Sequence, residues 1–233
     1  MRSLLGRLSR RFALFGRVRS LIRTLFPSNF FFRSYSQWGE DSIVSQFIFD
    51  DNWTYIDIGS GHPVHGNDTF FLYRRGLNGV LIDPIVLNQK LSHRIRPRDK
   101  FILGLVSGER KLTFYQFSNS GISTADAARA INLQNSGNSL VAESFPDIYS
   151  LSTIFEQLSA DRKKLLLKID VEGLEFSVIK SLDFNRFSPD LILIEELETL
   201  PSDRTPLRNF LIDVGYELII SAYNSHLFKR KLA

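Results

Sequence analysis

Apolar residues recur along this chain in two alternating rhythms. Short, mainly apolar runs at 55–58, 80–82, 101–106, 165–169 and 191–194 read as buried strands. A short helix is expected at 67–75, with Phe70, Phe71 and Tyr73–Arg74 giving it bulk, and apolar positions repeat every three or four residues through Leu87, Leu91 and Ile95, and at 151–158, 176–182 and 206–214. That spacing predicts helices. Gly76 and Gly215 stand where helices stop. Strands alternating with helices predict an α/β fold, a Rossmann-like, mostly parallel sheet with helices on both faces. Residues 111–117 alternate as an antiparallel strand does, and 217–221 with 226–229 predict a terminal antiparallel pair. A helix following 36–41 is capped by Ser36 or Asp41.

Two stretches depart from this rhythm. Residues 118–150 are rich in Ser, Asn, Gly and Thr, with one or two helical turns expected at 125–131. A long polar insertion in a compact domain is usually a functional loop, so this one is a candidate lid. Residues 1–33 form a separate arm. Leu4, Leu8, Phe12, Phe15, Val18, Ile22 and Leu25 make one helical stripe, arginines fill the other side, and Pro27 ends it. Three readings stand for residues 1–26: peripheral contact with an anionic membrane or a partner, packing on the domain itself, and a targeting segment. The remaining residues, 34–233, read as one domain.

Charge sharpens this division. The net charge is +4, yet residues 1–33 hold eight arginines and no acid, leaving 21 basic and 25 acidic side chains in the other 200 residues. A nucleic-acid-binding domain carries its positive charge on the folded body, so no nucleic-acid partner is expected. There is no cysteine, which excludes disulfides and thiolate metal sites and fits a cytoplasmic protein. No window reaches the roughly 18–20 apolar residues of a membrane span. The four histidines are scattered, and no zinc site is expected.

The chemistry gathers at strand ends. The first strand runs through Asp57 into Gly59-Ser60-Gly61-His62-Pro63, a turn where backbone must come close to something. Asp83, Asp170 and Glu195 close three further strands. The carboxyl ends of parallel strands share one edge, so these four acids converge on one crevice. Asp83 lies 22 residues after Gly61, the spacing of an acid that accepts ribose hydroxyls. A dinucleotide fingerprint would need a third glycine where Val64 stands, and Pro63 removes an amide donor. These departures disfavour NAD and favour a ribose-bearing cofactor without a pyrophosphate, S-adenosylmethionine.

The same residues resemble a known family, the FkbM-type S-adenosylmethionine-dependent methyltransferases. The resemblance rests on Ser36-Gln37-x-Gly39-Glu40-Asp41, on Tyr55-Ile56-Asp57-Ile58-Gly59 with His62-Pro63, and on Asn67-Asp68-Thr69. It extends through Gly76-x-x-Gly79, Ile82-Asp83-Pro84, Ser123-Thr124, Leu151-x-x-Ile154 and Lys168-Ile169-Asp170-Val171-Glu172-Gly173-x-Glu175. It covers about residues 34–230, and the arm lies outside it. Asp68 and Asn78 depart from the residues common there, Asn and Trp.

The resemblance implies methyl transfer, most often to a hydroxyl of a sugar, glycan or secondary metabolite. It implies that Asp57, Gly59 and Gly61 face the methionine end of the cofactor, that Asp83 holds the ribose, and that Gln37 and Glu40 close over it. Val106-Ser107 is the nominee for adenine. A hydroxyl acceptor needs a general base. Asp170 is the first candidate and His62 the second, with Glu172, Glu175 and Glu195 orienting the base or binding the acceptor. Asp170, Glu172 and Glu195 could instead hold Mg²⁺ through oxygen ligands. The rival readings are an NAD-dependent oxidoreductase and a non-catalytic binding module docked to a membrane by its arm.

Overall fold

The computed structural model describes residues 34–157, 164–196 and 205–231. The expected basic helix and its membrane contact fall on residues 1–33, outside the described residues.

A seven-stranded sheet forms the centre, in the order β10-β11-β9-β8-β1-β2-β3. Its strands are β1 (Trp53–Ile58), β2 (Gly79–Asp83), β3 (Lys100–Leu103), β8 (Lys164–Ile169), β9 (Leu191–Glu195), β10 (Tyr216–Ala222) and β11 (Ser225–Arg230). Neighbours from β3 to β9 pair in parallel, and β10 and β11 add the expected antiparallel end. Chain order reverses between β1 and β8. That places a crevice at their carboxyl ends, where open α/β sheets bind ligands.

Both sheet faces are covered, and alternation along the strands decides which residue meets which layer. Ile56, Ile58, Leu167, Ile169, Ile192 and Ile194 pack on one face with Leu151, Ile154, Val178, Ile179, Leu207 and Leu211. The last six come from α5 (Leu151–Glu156), α6 (Glu175–Lys180) and α7 (Pro206–Asp213). On the opposite face Tyr55, Leu81, Leu166, Leu191 and Leu193 pack with Val44, Ile48 and Leu72. Here α1 (Glu40–Val44) and α2 (Phe70–Arg74) form the cover. α3 (Val86–Ile95) follows β2 and leaves Leu87 exposed, although its spacing suggested a buried stripe.

Two expectations are corrected. The expected third strand is broken at Gly104 into β3 and β4 (Leu105–Val106), and β4 leaves the main sheet to pair with β7 (Ile148–Tyr149). A Cβ on Gly104 would meet the Asp147 carbonyl, so the chain turns closely here. The expected antiparallel strand is β5 (Phe114–Phe117), but it pairs with β6 (Leu140–Ser144) in a separate two-stranded sheet. The polar insertion therefore holds regular structure, including α4 (Ala127–Asn135), capped by the Asp126 side chain on Arg129 N–H. Among the described residues no helix is long and apolar enough to cross a membrane.

Candidate active site

A cavity of about 730 Å³ opens along the carboxyl edge of β2, β1, β8 and β9, within the size range of a small-molecule site. Gly59, Gly61, His62, Asp83, Asp170, Glu172, Glu195 and Gln37 all line it. Asp57, Glu40 and Glu175 do not, and each has a different task.

Asp57 lies within β1, one residue before its end, on the face covered by α1 and α2. Its register partner on β8 is Lys168, so alternation brings an acid and an amine together on one buried face. Lys168 Nζ stands 3.3 Å from Asp57 Oδ1, 3.4 Å from Asp170 Oδ2 and 3.9 Å from Asp68 Oδ2. It also donates to the Gly59 carbonyl at 3.2 Å. Burial alone would favour the neutral amine, but Asp57, Asp170 and Asp68 outweigh it and raise the ammonium's pKa. Thr69 Oγ1 donates to Asp57 Oδ2 at 2.6 Å, and Asn67 Nδ2 lies 3.3 Å away. Fully buried Arg96 fixes that pair in turn, reaching Asn67 Oδ1 at 2.9 Å and Thr69 Oγ1 at 3.0 Å. Asp57 thus secures the floor beneath the glycine turn and does not face the cavity.

The two glycines differ. A Cβ on Gly59 would collide with the Asp170 carbonyl, and its φ of 70° is left-handed. Close packing of the turn on β8 requires glycine here, independently of any ligand. Around Gly61 (φ 56°) a Cβ would meet nothing within 4 Å. Its N–H donates to Asp83 Oδ2 at 2.9 Å.

Asp83 also accepts from Ile85 N–H (2.8 Å) and Asn88 Nδ2 (3.0 Å), both on Oδ1. These three donors leave acceptor capacity on Oδ2, because a carboxylate offers about four lone-pair directions. Burial raises the Asp83 pKa, while Asn88 and the two amides oppose that shift. Beyond Asp83, Ile85, Leu105, Val106 and Phe114 line an apolar wall. Val106 belongs to this wall. Ser107 does not line the cavity, and its hydroxyl pairs with Ser177 at 2.9 Å.

Asp170 follows β8 at the centre of the edge. Glu195 ends β9, and both side chains line the cavity. Burial, then the Asp170 and Glu172 charges, push Glu195 up to about 8. Glu172 is pushed up to about 7 by burial and Asp170, against the pull of Arg129. Its backbone is left-handed (φ 58°), its side chain pairs with Arg129 of α4, and its carbonyl accepts from Thr124 Oγ1 at 2.7 Å. The insertion is thereby tied to the edge. Glu175 accepts from the Val171 and Gly173 amides at 3.2 and 3.0 Å, so it shapes the loop carrying Asp170 and Glu172.

His62 is corrected from candidate base to donor. Its Nδ1 accepts from the Val64 and His65 amides (3.2 and 3.1 Å), which places the ring proton on Nε2. Burial and neighbouring His65 lower its pKa to about 4. The proposed Mg²⁺ set is not assembled either. Glu172 is turned to Arg129, and among the described residues no three His or acidic side chains are placed to hold a metal ion.

Ser34 Oγ and the Tyr35 amide donate to Asp41 at 2.6 and 2.7 Å, curling the segment before α1 so that Gln37 and Trp38 meet the cavity mouth. Glu40 accepts from Trp38 N–H (2.9 Å) and from Ser225 Oγ of β11 (3.2 Å). It joins two distant segments and does not close on the cavity. Lys168 had a readable signal: a lysine inside an apolar run must find buried acids. Arg129, Trp38 and Tyr223 carry no such local mark.

A family model, the Methyltransferase FkbM domain, matches residues 57–218. No curated protein matches the chain. A solved structure of a TehB-like SAM-dependent methyltransferase from Corynebacterium glutamicum resembles it at TM-score 0.45 and 10% identity, covering 97% of this chain and 100% of that one.

Proposed function

This chain belongs to the FkbM methyltransferase family, and we propose that it moves a methyl group from S-adenosylmethionine to a hydroxyl of a sugar, glycan or secondary metabolite, with Asp170 as general base. One observation carries the reading: Asp83 and Asp170 share a single cavity, on opposite sides of the Gly59–Gly61 turn. The residues present suit the cofactor. Asp83 Oδ2 has capacity for a ribose hydroxyl, and the wall from Ile85 to Phe114 suits a base. Open space beside Gly61 admits the methionine chain that the ribose carries.

The bound cofactor supplies an electrophilic methyl group. The protein's part is to align the acceptor oxygen with it and to remove the proton. Asp170 is held by Lys168, whose Nζ lies 3.4 Å from its Oδ2, which orients it at the centre of the edge. Glu195 and the His62 Nε2–H are placed to bind acceptor hydroxyls. Asp170→Asn tests the assignment in an acceptor screen with methyl-labelled cofactor. A loss of roughly 10²–10⁴-fold in kcat with intact S-adenosylhomocysteine binding is expected, and unchanged turnover would remove Asp170 from the role.

A further inference from the structure

Trp38 and Tyr223 are 185 positions apart in sequence and meet at the cavity mouth, ring centroids 4.8 Å apart and planes 37° from parallel. Both line the cavity, yet they are 55% and 67% exposed. Their contact is not what closes the fold here. Glu40 already joins the Trp38 backbone to Ser225, and the Asn224 carbonyl accepts from Glu196 N–H at 2.8 Å. Tyr223 also occupies a left-handed turn position (φ 55°) that glycine or asparagine would take with less strain. A bulky ring in an unfavourable conformation, left in solvent at the mouth of a site, points to a ligand.

The position of the pair says which ligand. Ser225 is the register partner of Glu195, so the turn bearing Tyr223 overhangs the Glu195 end of the edge. Asp83 lies three strands away, about 14 Å at ordinary strand spacing. The aromatic pair therefore sits on the acceptor side of Asp170, away from the wall suited to a base. We propose that Trp38 and Tyr223 form the stacking platform for the acceptor, taking the apolar C–H face of a pyranose ring while Glu195, Asp170 and Asn224 meet its hydroxyls. Aromatic faces are electron-rich and attract polarised C–H groups. A flat apolar ligand would leave the carboxyl groups without partners.

The proposal rests on the methyltransferase reading, and its test separates the two. Trp38 and Trp53 are the only tryptophans, and Trp53 is buried at 5% exposure, so Trp38 reports on the mouth. Protein loaded with S-adenosylhomocysteine is titrated with methyl pyranosides (glucoside, galactoside, fucoside, rhamnoside) while tryptophan emission is followed. Calorimetry measures cofactor-product affinity in parallel. At least one pyranoside should change the emission, and Tyr223→Ala should weaken it roughly tenfold without altering S-adenosylhomocysteine affinity. Trp38→Phe should silence the signal yet keep pyranoside binding by saturation-transfer NMR. No pyranoside response from protein that binds S-adenosylhomocysteine normally would overturn the platform and leave the methyltransferase reading intact. Equal loss of S-adenosylhomocysteine affinity in Tyr223→Ala would assign the pair to the cofactor. A response to tetramethylammonium alone would replace the sugar ring by a cation. No S-adenosylhomocysteine binding at all would overturn both readings.

Discussion

Lys168 and Asp57 are register partners on adjacent parallel strands, and their charged atoms lie 3.3 Å apart with almost no exposure to solvent. The same ammonium reaches Asp170 and the Gly59 carbonyl. One side chain thus compensates a buried acid, seats the glycine turn and orients the proposed base.

Lys168→Met should be strongly destabilising, because it leaves Asp57 buried without its counter-ion. A cost of about 3–5 kcal/mol is expected in urea unfolding. The sign with pH follows from the raised lysine pKa. This contribution is complete below the ordinary amine value near ~10.4 and is lost only as pH rises through the higher folded value. The lysine's own contribution should therefore be level from pH 6 to 9, and a contribution that fades across that range would contradict the pairing.

The two glycines should separate in mutagenesis. Gly59→Ala drives a methyl group into the Asp170 carbonyl and should cost roughly 2–5 kcal/mol. Gly61→Ala has free space and should cost only about 1 kcal/mol for its left-handed backbone, but should weaken S-adenosylhomocysteine binding. Equal thermal destabilisation of the two variants would argue against the close packing of the turn on β8.

Glu195 should make the protein less stable as pH rises. Folded, it keeps its proton up to about 8, whereas the unfolded chain releases it near ~4.3. Between those values the unfolded state binds fewer protons, so stability declines with rising pH. Glu195→Gln should flatten the decline in melting temperature between pH 5.5 and 8.5. Glu172, raised to about 7 for similar reasons, should leave part of the slope. A slope identical to wild type would place Glu195 in a solvated setting.

Much of this was legible from residues alone. Apolar periodicity located the strands and helices of the main sheet, and the shared direction of parallel strands placed Asp83, Asp170 and Glu195 on one edge. What escaped was set by geometry that a linear pattern does not carry. Asp57 belongs to the floor because alternation turns it to the opposite face from Ile56 and Ile58, beside Lys168. His62 became a donor through two local amides. Trp38 and Tyr223 meet only because β11 lies against β9 and Glu40 reaches Ser225. Gly104 broke a continuous apolar run because a neighbouring backbone comes too close there.

The most direct test is calorimetric binding of S-adenosylhomocysteine to wild type and to Asp83→Asn. The amide retains the side chain's shape but removes the charge and one acceptor from the proposed ribose contact. Wild type should bind, and the variant should bind roughly 10- to 100-fold more weakly with its fold intact by circular dichroism. A folded wild-type protein that does not bind S-adenosylhomocysteine, or a variant that binds it equally well, would contradict the account of this cavity.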